Sequence, residues 1–217
     1  MTTTQPIPSQ PIEHSPAEKR VTLHVNWNAY EAILEALGEQ RSARLTYYKG
    51  LLEIMTPLEP HEHSKKLLGQ FIEILVEELN WNLKSMGSTR LKRSELETGA
   101  EPDEGYYIAN EAKVRGKIVD LKTDPPPDLV VEVDITHTDI DKNQLYAELG
   151  IPELWRYDGS TLKIYQLQNK PYQETEGSLS FPDLPKERFY EFINECAQQG
   201  EIPAKRNLRV WIREQLC

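Results

Sequence analysis

Twelve residues, Pro125–Thr136 (PPPDLVVEVDIT), constrain this chain more than any others. Three prolines end whatever precedes them, since each lacks a backbone N–H and fixes φ. The run Leu129, Val130, Val131 and Val133 is short, apolar and mostly β-branched, the pattern of a strand buried on both faces. Glu132 stands in the middle of it. An unpaired charge in such a strand carries a large desolvation penalty. Glu132 therefore needs a cation from the chain, a bound metal, or a proton of its own.

A length of 217 residues suffices for one domain with a substantial core, and 38% hydrophobic with 28% charged residues suits a globular, water-exposed protein. The net charge of −10 disfavours indiscriminate attraction to phosphate backbones, so any nucleic-acid contact has to come from local basic stripes. Cys196 and Cys217 have neither metal-ligand nor disulfide-framework spacing, and a reducing cytoplasm suits them. No stretch approaches a membrane span. Residues 1–20, rich in Thr, Gln, Ser and Pro, lack the apolar core of a signal peptide and read as a flexible tail ahead of a single domain over 21–217.

Within that domain, Trp27, Tyr30, Ile33, Leu34 and Leu37 predict a helix over His24–Gly38. Ala43–Lys49 and Leu51–Thr56 flank Gly50 as a hairpin. Leu68, Phe71, Ile72, Leu75 and Leu79 predict a long helix from about Glu62 to Leu83. Strands are expected at Ser88–Glu95 and Gly99–Ile108, with a polar turn at Asn110–Lys117. Thr138 and Asp141 have the spacing of a cap for a helix that Gly150 stops. Glu153–Tyr157 and Leu162–Leu167 form a hairpin about Asp158-Gly159, and Arg188–Gln198 and Pro203–Leu216 close the chain as helices. The fold class is therefore α/β, a mixed central sheet flanked by helices.

Three positions suggest chemistry. Asp103 follows Pro102 at the entry to an expected strand, Glu132 lies inside the buried strand, and Lys142 stands near the start of the next helix. A carboxylate pair on neighbouring strands suits Mg²⁺ or Mn²⁺, with water and phosphate completing the shell. An adjacent ammonium can orient water or meet charge on a phosphate. Such a set can hydrolyse a phosphodiester. Lys142, Tyr146 and Leu149 share a helix face, so Lys142 either points inward with them or snorkels to solvent.

As a set, Pro102-Asp103, Pro127 to Val133, Asp141-Lys142 to Tyr146, Gly150, Glu153-Leu154-Trp155 and Asp158 resemble the “putative restriction endonuclease” family abundant in cyanobacteria, part of the PD-(D/E)XK nuclease superfamily. Gly50, Glu53 to Pro57 and His63 fit the family's opening, and the resemblance spans roughly 22–170. It implies a restriction-endonuclease-like core and a metal-dependent endonuclease acting on DNA. Asp103, Glu132 and the Val133 carbonyl would bind Mg²⁺ or Mn²⁺, with Lys142 as the catalytic cation. The superfamily lysine two residues after the acid is here Asp134. Members of the family often carry the lysine in the following helix instead, where Lys142 stands. A homodimer would suit double-strand cutting. Asp134 and the acidic net charge favour the other reading, a non-catalytic nucleic-acid-binding or interaction protein that keeps the fold.

Several alternatives remain. Asp120-Leu121-Lys122 spells acid-X-lysine, but in a polar, proline-flanked stretch. Asp128, about 13 Å along the strand from Glu132, is too far to share an ion with it and reads as a cap or supporting residue. Glu62 and His63 either border the site or cap a helix. Trp155 and Tyr157 read as core residues. Arg90, Lys92 and Arg93, and separately Lys205, Arg206, Arg209 and Arg213, are candidate phosphate-binding stripes or simply solvated faces.

Overall fold

The computed structural model describes residues 16–38, 40–168 and 171–216. In chain order the elements are β1 (Glu18–His24), α1 (Trp27–Leu37), β2 (Arg44–Tyr48), β3 (Leu51–Pro57), α2 (Glu59–Glu78), β4 (Lys84–Ser85), β5 (Leu91–Arg93), β6 (Thr98–Ala100) and β7 (Glu104–Tyr107). They continue with α3 (Glu111–Val114), β8 (Leu129–Val133), α4 (Lys142–Leu149), β9 (Glu153–Tyr157), β10 (Leu162–Leu167), β11 (Tyr172–Thr175), α5 (Glu187–Gln199) and α6 (Glu201–Gln215).

The class is α/β as expected, but the strands form two sheets. An antiparallel sheet has the order β1-β3-β2-β6-β5. A mixed sheet has the order β11-β10-β9-β8-β7-β4, with β8 and β9 parallel and joined through α4. The stretch Gly99–Ile108, read as one strand, is divided between them: β6 belongs to the first sheet and β7 to the second. Pro102 sits at the break, where its missing N–H cannot serve a ladder.

Every residue of β8 is buried. Leu129, Val131 and Val133 pack with α2, α5 and α6 residues such as Phe71, Phe192 and Leu208. Val130 packs on the other side with Leu145, Tyr146 and Leu149 of α4. Alternation along a strand puts Glu132 on the Val130 side, toward α4. Trp155 and Tyr157 lie in the core as expected. A third cluster, Tyr30, Leu34, Leu45, Tyr47 and Leu52, seats α1 on the antiparallel sheet.

Other boundaries move. The long helix runs Glu59–Glu78 rather than to Leu83, and Asn80 at φ 55° follows its end. His24 closes β1 instead of opening a helix, and the helix starts at Trp27 behind the Asn26 cap. Ser88–Glu95 supplies only the short β5 before a 3-10 turn at Ser94–Leu96. Part of the stretch expected as a tail, residues 18–20, is strand. Glu18, Lys19 and Arg20 pair with Pro57, Thr56 and Met55 of β3. Residues 1–15 and Cys217 lie outside the described residues.

Candidate active site

β7 pairs antiparallel with β8, Glu104 opposite Val131, so the same register carried one residue further sets Asp103 opposite Glu132. Asp103 is fully buried, and its Oδ2 accepts the Val133 N–H at 2.6 Å. The carboxylate is thereby fixed against the Glu132–Val133 peptide. Its Oδ1 faces the Arg44 guanidinium of β2 as an ion pair and lies 3.2 Å from His61 Nε2. No hydrogen bond reaches that oxygen.

Lys142 does point inward. Its side chain is 3% exposed, and Nζ donates to Glu132 Oε2 at 2.7 Å and to Asp134 Oδ1 at 2.6 Å. Tyr146, one turn on, donates its hydroxyl to Glu132 Oε1. Asp141 caps the helix by accepting the Gln144 N–H, which sets α4 over the end of β8. Burial works against the lysine's charge, but Asp134 and Glu132 outweigh it and hold its pKa above the ordinary lysine value. It is therefore an ammonium, able to orient and to stabilise charge rather than to accept a proton. Burial likewise leads in raising the Tyr146 phenol, with Glu132 adding to it, so the hydroxyl stays a donor.

Asp134, at the strand position of the superfamily lysine, is ringed by cations. Besides Lys142 it accepts from Arg156 at 3.1 Å and Arg20 at 3.2 Å. Burial pushes its carboxyl up, yet Lys142, Arg156 and Arg20 together hold it down to about 2. Arg20 also donates to Glu53 Oε1 at 2.6 Å. Glu53 Oε2 in turn accepts from the Thr138 hydroxyl at 2.8 Å. Glu18 accepts the Ile135 and Thr136 N–H groups at 3.1 and 3.3 Å. The antiparallel sheet is thus pinned by polar contacts to the segment leaving β8.

Of the residues singled out from sequence, Lys142 meets Glu132, while Asp103 stands opposite Glu132 in the strand register and accepts the Val133 N–H. His63 is exposed; the histidine at the site is His61, two residues earlier and fully buried. Burial, with Arg44 beside it, pushes the His61 imidazole down to about 4, so it is neutral at pH 7. Glu62, half-exposed, accepts from Arg44 at 2.8 Å. Asp120-Leu121-Lys122 forms a turn in which Asp120 accepts the Lys122 N–H, with both charged residues exposed. Asp128 caps the 108–110 turn by accepting from Ile108, Asn110 N and Asn110 Nδ2.

Arg20, Arg44, Glu18, Glu53 and His61 had not been singled out as site members. For Glu53 a signal existed: like Glu132, it interrupts an apolar strand, LLEIM, and it is 2% exposed. In the α6 stripe three of the four cations are held in ion pairs: Lys205 with Glu201 at 3.0 Å, Arg209 with Glu77 and Glu78 at 2.8 and 2.7 Å, and Arg213 with Glu78. No helix among the described residues is long and apolar enough to cross a membrane.

Residues 27–191, well over half the chain, match the model of the Uma2 family, described as “Putative restriction endonuclease”. No curated protein matches the sequence significantly. Among solved structures, the chain is similar to a protein from Anabaena variabilis ATCC 29413 described as “a putative nuclease belonging to DUF820”. That match has 14% identity and a TM-score of 0.46, covering 77% of this chain and 92% of the other.

Proposed function

Because the chain belongs to the Uma2 family of “putative restriction endonucleases”, we propose that it is a Mg²⁺- or Mn²⁺-dependent endonuclease hydrolysing DNA phosphodiester bonds. The observation that carries this reading is the contact of Lys142 with Glu132 beside Asp103. The lysine absent from the strand is functionally replaced from α4.

The donor set suits a hard cation. It offers carboxylate oxygens on adjacent strands, one of which, Asp103 Oδ1, is buried without a hydrogen bond. Asp103, Glu132 and the Val133 carbonyl would hold the ion. Among the described residues, no group of three or more His, Cys, Asp or Glu side chains is gathered as a ligand set. Loading would therefore require Arg44 to release Asp103, which it now neutralises. A bound divalent ion polarises a phosphoryl oxygen and makes water more acidic. The chain's own part is narrower. Lys142, held as an ammonium by Asp134 and Glu132, orients water against Glu132 and meets charge developing on the phosphate. Tyr146 fixes the far oxygen of Glu132.

One observation favours a second reading, a binding protein without turnover. Asp134 replaces the strand lysine, and every acid of the cluster is already matched by a cation or hydrogen-bond donor.

Differential scanning and cleavage of supercoiled and single-stranded DNA test both readings. Millimolar Mg²⁺ or Mn²⁺ should raise the wild-type melting temperature by mass action. Asp103→Asn and Glu132→Gln should remove that response along with cleavage. A wild type whose melting ignores both metals and that cuts neither DNA would overturn the proposal. A metal response without cutting would leave the second reading.

A further inference from the structure

Arg44 and Ser88 both touch Asp103. Arg44 pairs with its carboxylate, and the Ser88 hydroxyl donates to its backbone carbonyl at 3.3 Å. The same two residues, with Arg41, Thr89, Arg90 and Glu101, line an open cleft of about 430 Å³. Three guanidinium groups thus gather at one cleft on a chain whose net charge is −10, Arg44 paired with Asp103 and Glu62, and Arg41 and Arg90 sharing Glu101.

Glu101 organises this surface. Its Oε2 accepts the Leu45 N–H at 3.0 Å, which anchors it to β2. Its Oε1 pairs with Arg41 and lies 3.8 Å from Arg90. One fixed carboxylate therefore presents two guanidinium groups to the cleft in a set geometry. Arg41 Nε is buried and makes no hydrogen bond. A second cleft shares Thr89 and Arg90 and continues beside Leu91 and Lys92 of β5. The result is a groove that starts at the neighbours of Asp103 and runs along the 88–92 segment.

We propose that this groove binds the sugar–phosphate backbone of a single nucleic-acid strand and guides it toward Asp103, an inference that rests on the nuclease reading for its direction. Guanidinium forks match phosphate oxygens in pairs, and the Ser88 and Thr89 hydroxyls add donors. A single strand is favoured over a duplex by depth. Asp103, Glu132 and Lys142 are each no more than 2% exposed. A cleft of this volume admits one backbone, whereas a duplex would need to open first.

The test is fluorescence anisotropy of a labelled single strand and of its duplex, titrated over a salt series in EDTA, where turnover plays no part. The single strand should bind more tightly. Arg41→Gln with Arg90→Gln should lower the log–log salt slope by about 1.4, or about 0.7 per phosphate contact. Because Arg41 also pairs with Glu101, a second variant guards against misfolding: Thr89 is exposed, and Thr89→Lys should steepen the slope by about 0.7. Lys205→Gln on α6 should leave the slope unchanged. Slopes unmoved in both groove variants overturn the proposal. A duplex that binds as tightly as the single strand, with the same loss, overturns the single-strand assignment. Binding of the expected kind without cutting would sink the nuclease reading and leave the groove standing. Cutting with an unmoved slope would do the reverse.

Discussion

Lys142→Met separates what this lysine does for stability from what it does for chemistry. In the wild type its ammonium meets Glu132 at 2.7 Å and Asp134 at 2.6 Å, almost wholly out of water. Methionine fills similar space but leaves both buried carboxylates short of a cation. Removing one partner of a buried pair costs roughly 3–5 kcal/mol. At about 2–4 °C per kcal/mol for a chain of this size, the melting temperature should fall by roughly 6–20 °C. A domain in the middle of the ordinary range, about 10 kcal/mol, stays folded at 25 °C after that loss. The pH dependence has a definite sign. Asp134 titrates at about 2 in the fold, below the ordinary carboxylate value, so its contribution is complete above that value and disappears as pH falls toward 2. Losing Lys142 removes part of that depression. The stability gap between wild type and variant should therefore be widest near pH 7 and narrow as pH falls below about 4. Urea denaturation at pH 7 and at pH 3 reads both quantities. Adding Asp134→Asn should recover part of the loss, since one buried charge then disappears, and the double-mutant cycle should be non-additive. A variant melting within about 2 °C of wild type at pH 7, or a gap that widens in acid, would refute the reasoning.

In cleavage assays under folding conditions, the same Lys142→Met change should slow turnover by about 10²–10³, the usual cost of losing one electrostatic group at a reacting centre; a normal rate would remove Lys142 from the chemistry. His61, neutral with its pKa lowered to about 4, should make stability fall as pH drops from about 6.5 to about 4, because the unfolded imidazole takes up a proton first. His61→Gln should flatten that stretch of the urea-midpoint profile, and an unaltered slope would assign the acid sensitivity elsewhere. Tyr146→Phe deletes a buried hydrogen bond to Glu132 and should cost about 1.5–3 kcal/mol in chemical denaturation; an isoenergetic variant would mean that Glu132 is served without it.

Local signals were legible and distant ones were not. The β8 strand, the Asp141 cap, the hairpin formed by β2 and β3, and the inward face of Lys142, Tyr146 and Leu149 all follow from spacing within about fifteen residues. The Asp103–Glu132–Lys142 set was suggested by residue types and position and supported by the family resemblance, and strand pairing accounts for Asp103 standing opposite Glu132. What escaped was whatever depends on how the two sheets meet. The break at Pro102 falls inside the stretch Gly99–Ile108 read as one strand, and nothing local assigns its two halves to different sheets. Arg20 and Arg44 belong to strands whose burial depends on carboxylates more than 50 positions later in the chain. His61 was passed over for His63 because periodicity does not distinguish the buried side of a helix's first turn. Glu53 could have been found by applying to LLEIM the argument already used for Glu132.

The pairing of β1 with the segment after β8 also bears on the order in which the protein forms. The Lys142–Glu132 contact spans 10 residues and can form as soon as β8 and α4 exist. The Arg20–Asp134 and Glu18–Ile135 contacts span 114 and 117 residues. Closing loops of that size consumes chain entropy before any contact repays it, so such contacts come late. During synthesis, which runs from the N-terminus, β1 and β3 emerge long before their acidic and hydrogen-bonding partners. Arg20 must spend that interval with Glu18 and Glu53 alone, two carboxylates for one guanidinium. Asp134 meets its three cations, Arg20, Lys142 and Arg156, only after Arg156 has left the ribosome, so this polar seam between the two sheets closes near the end of synthesis.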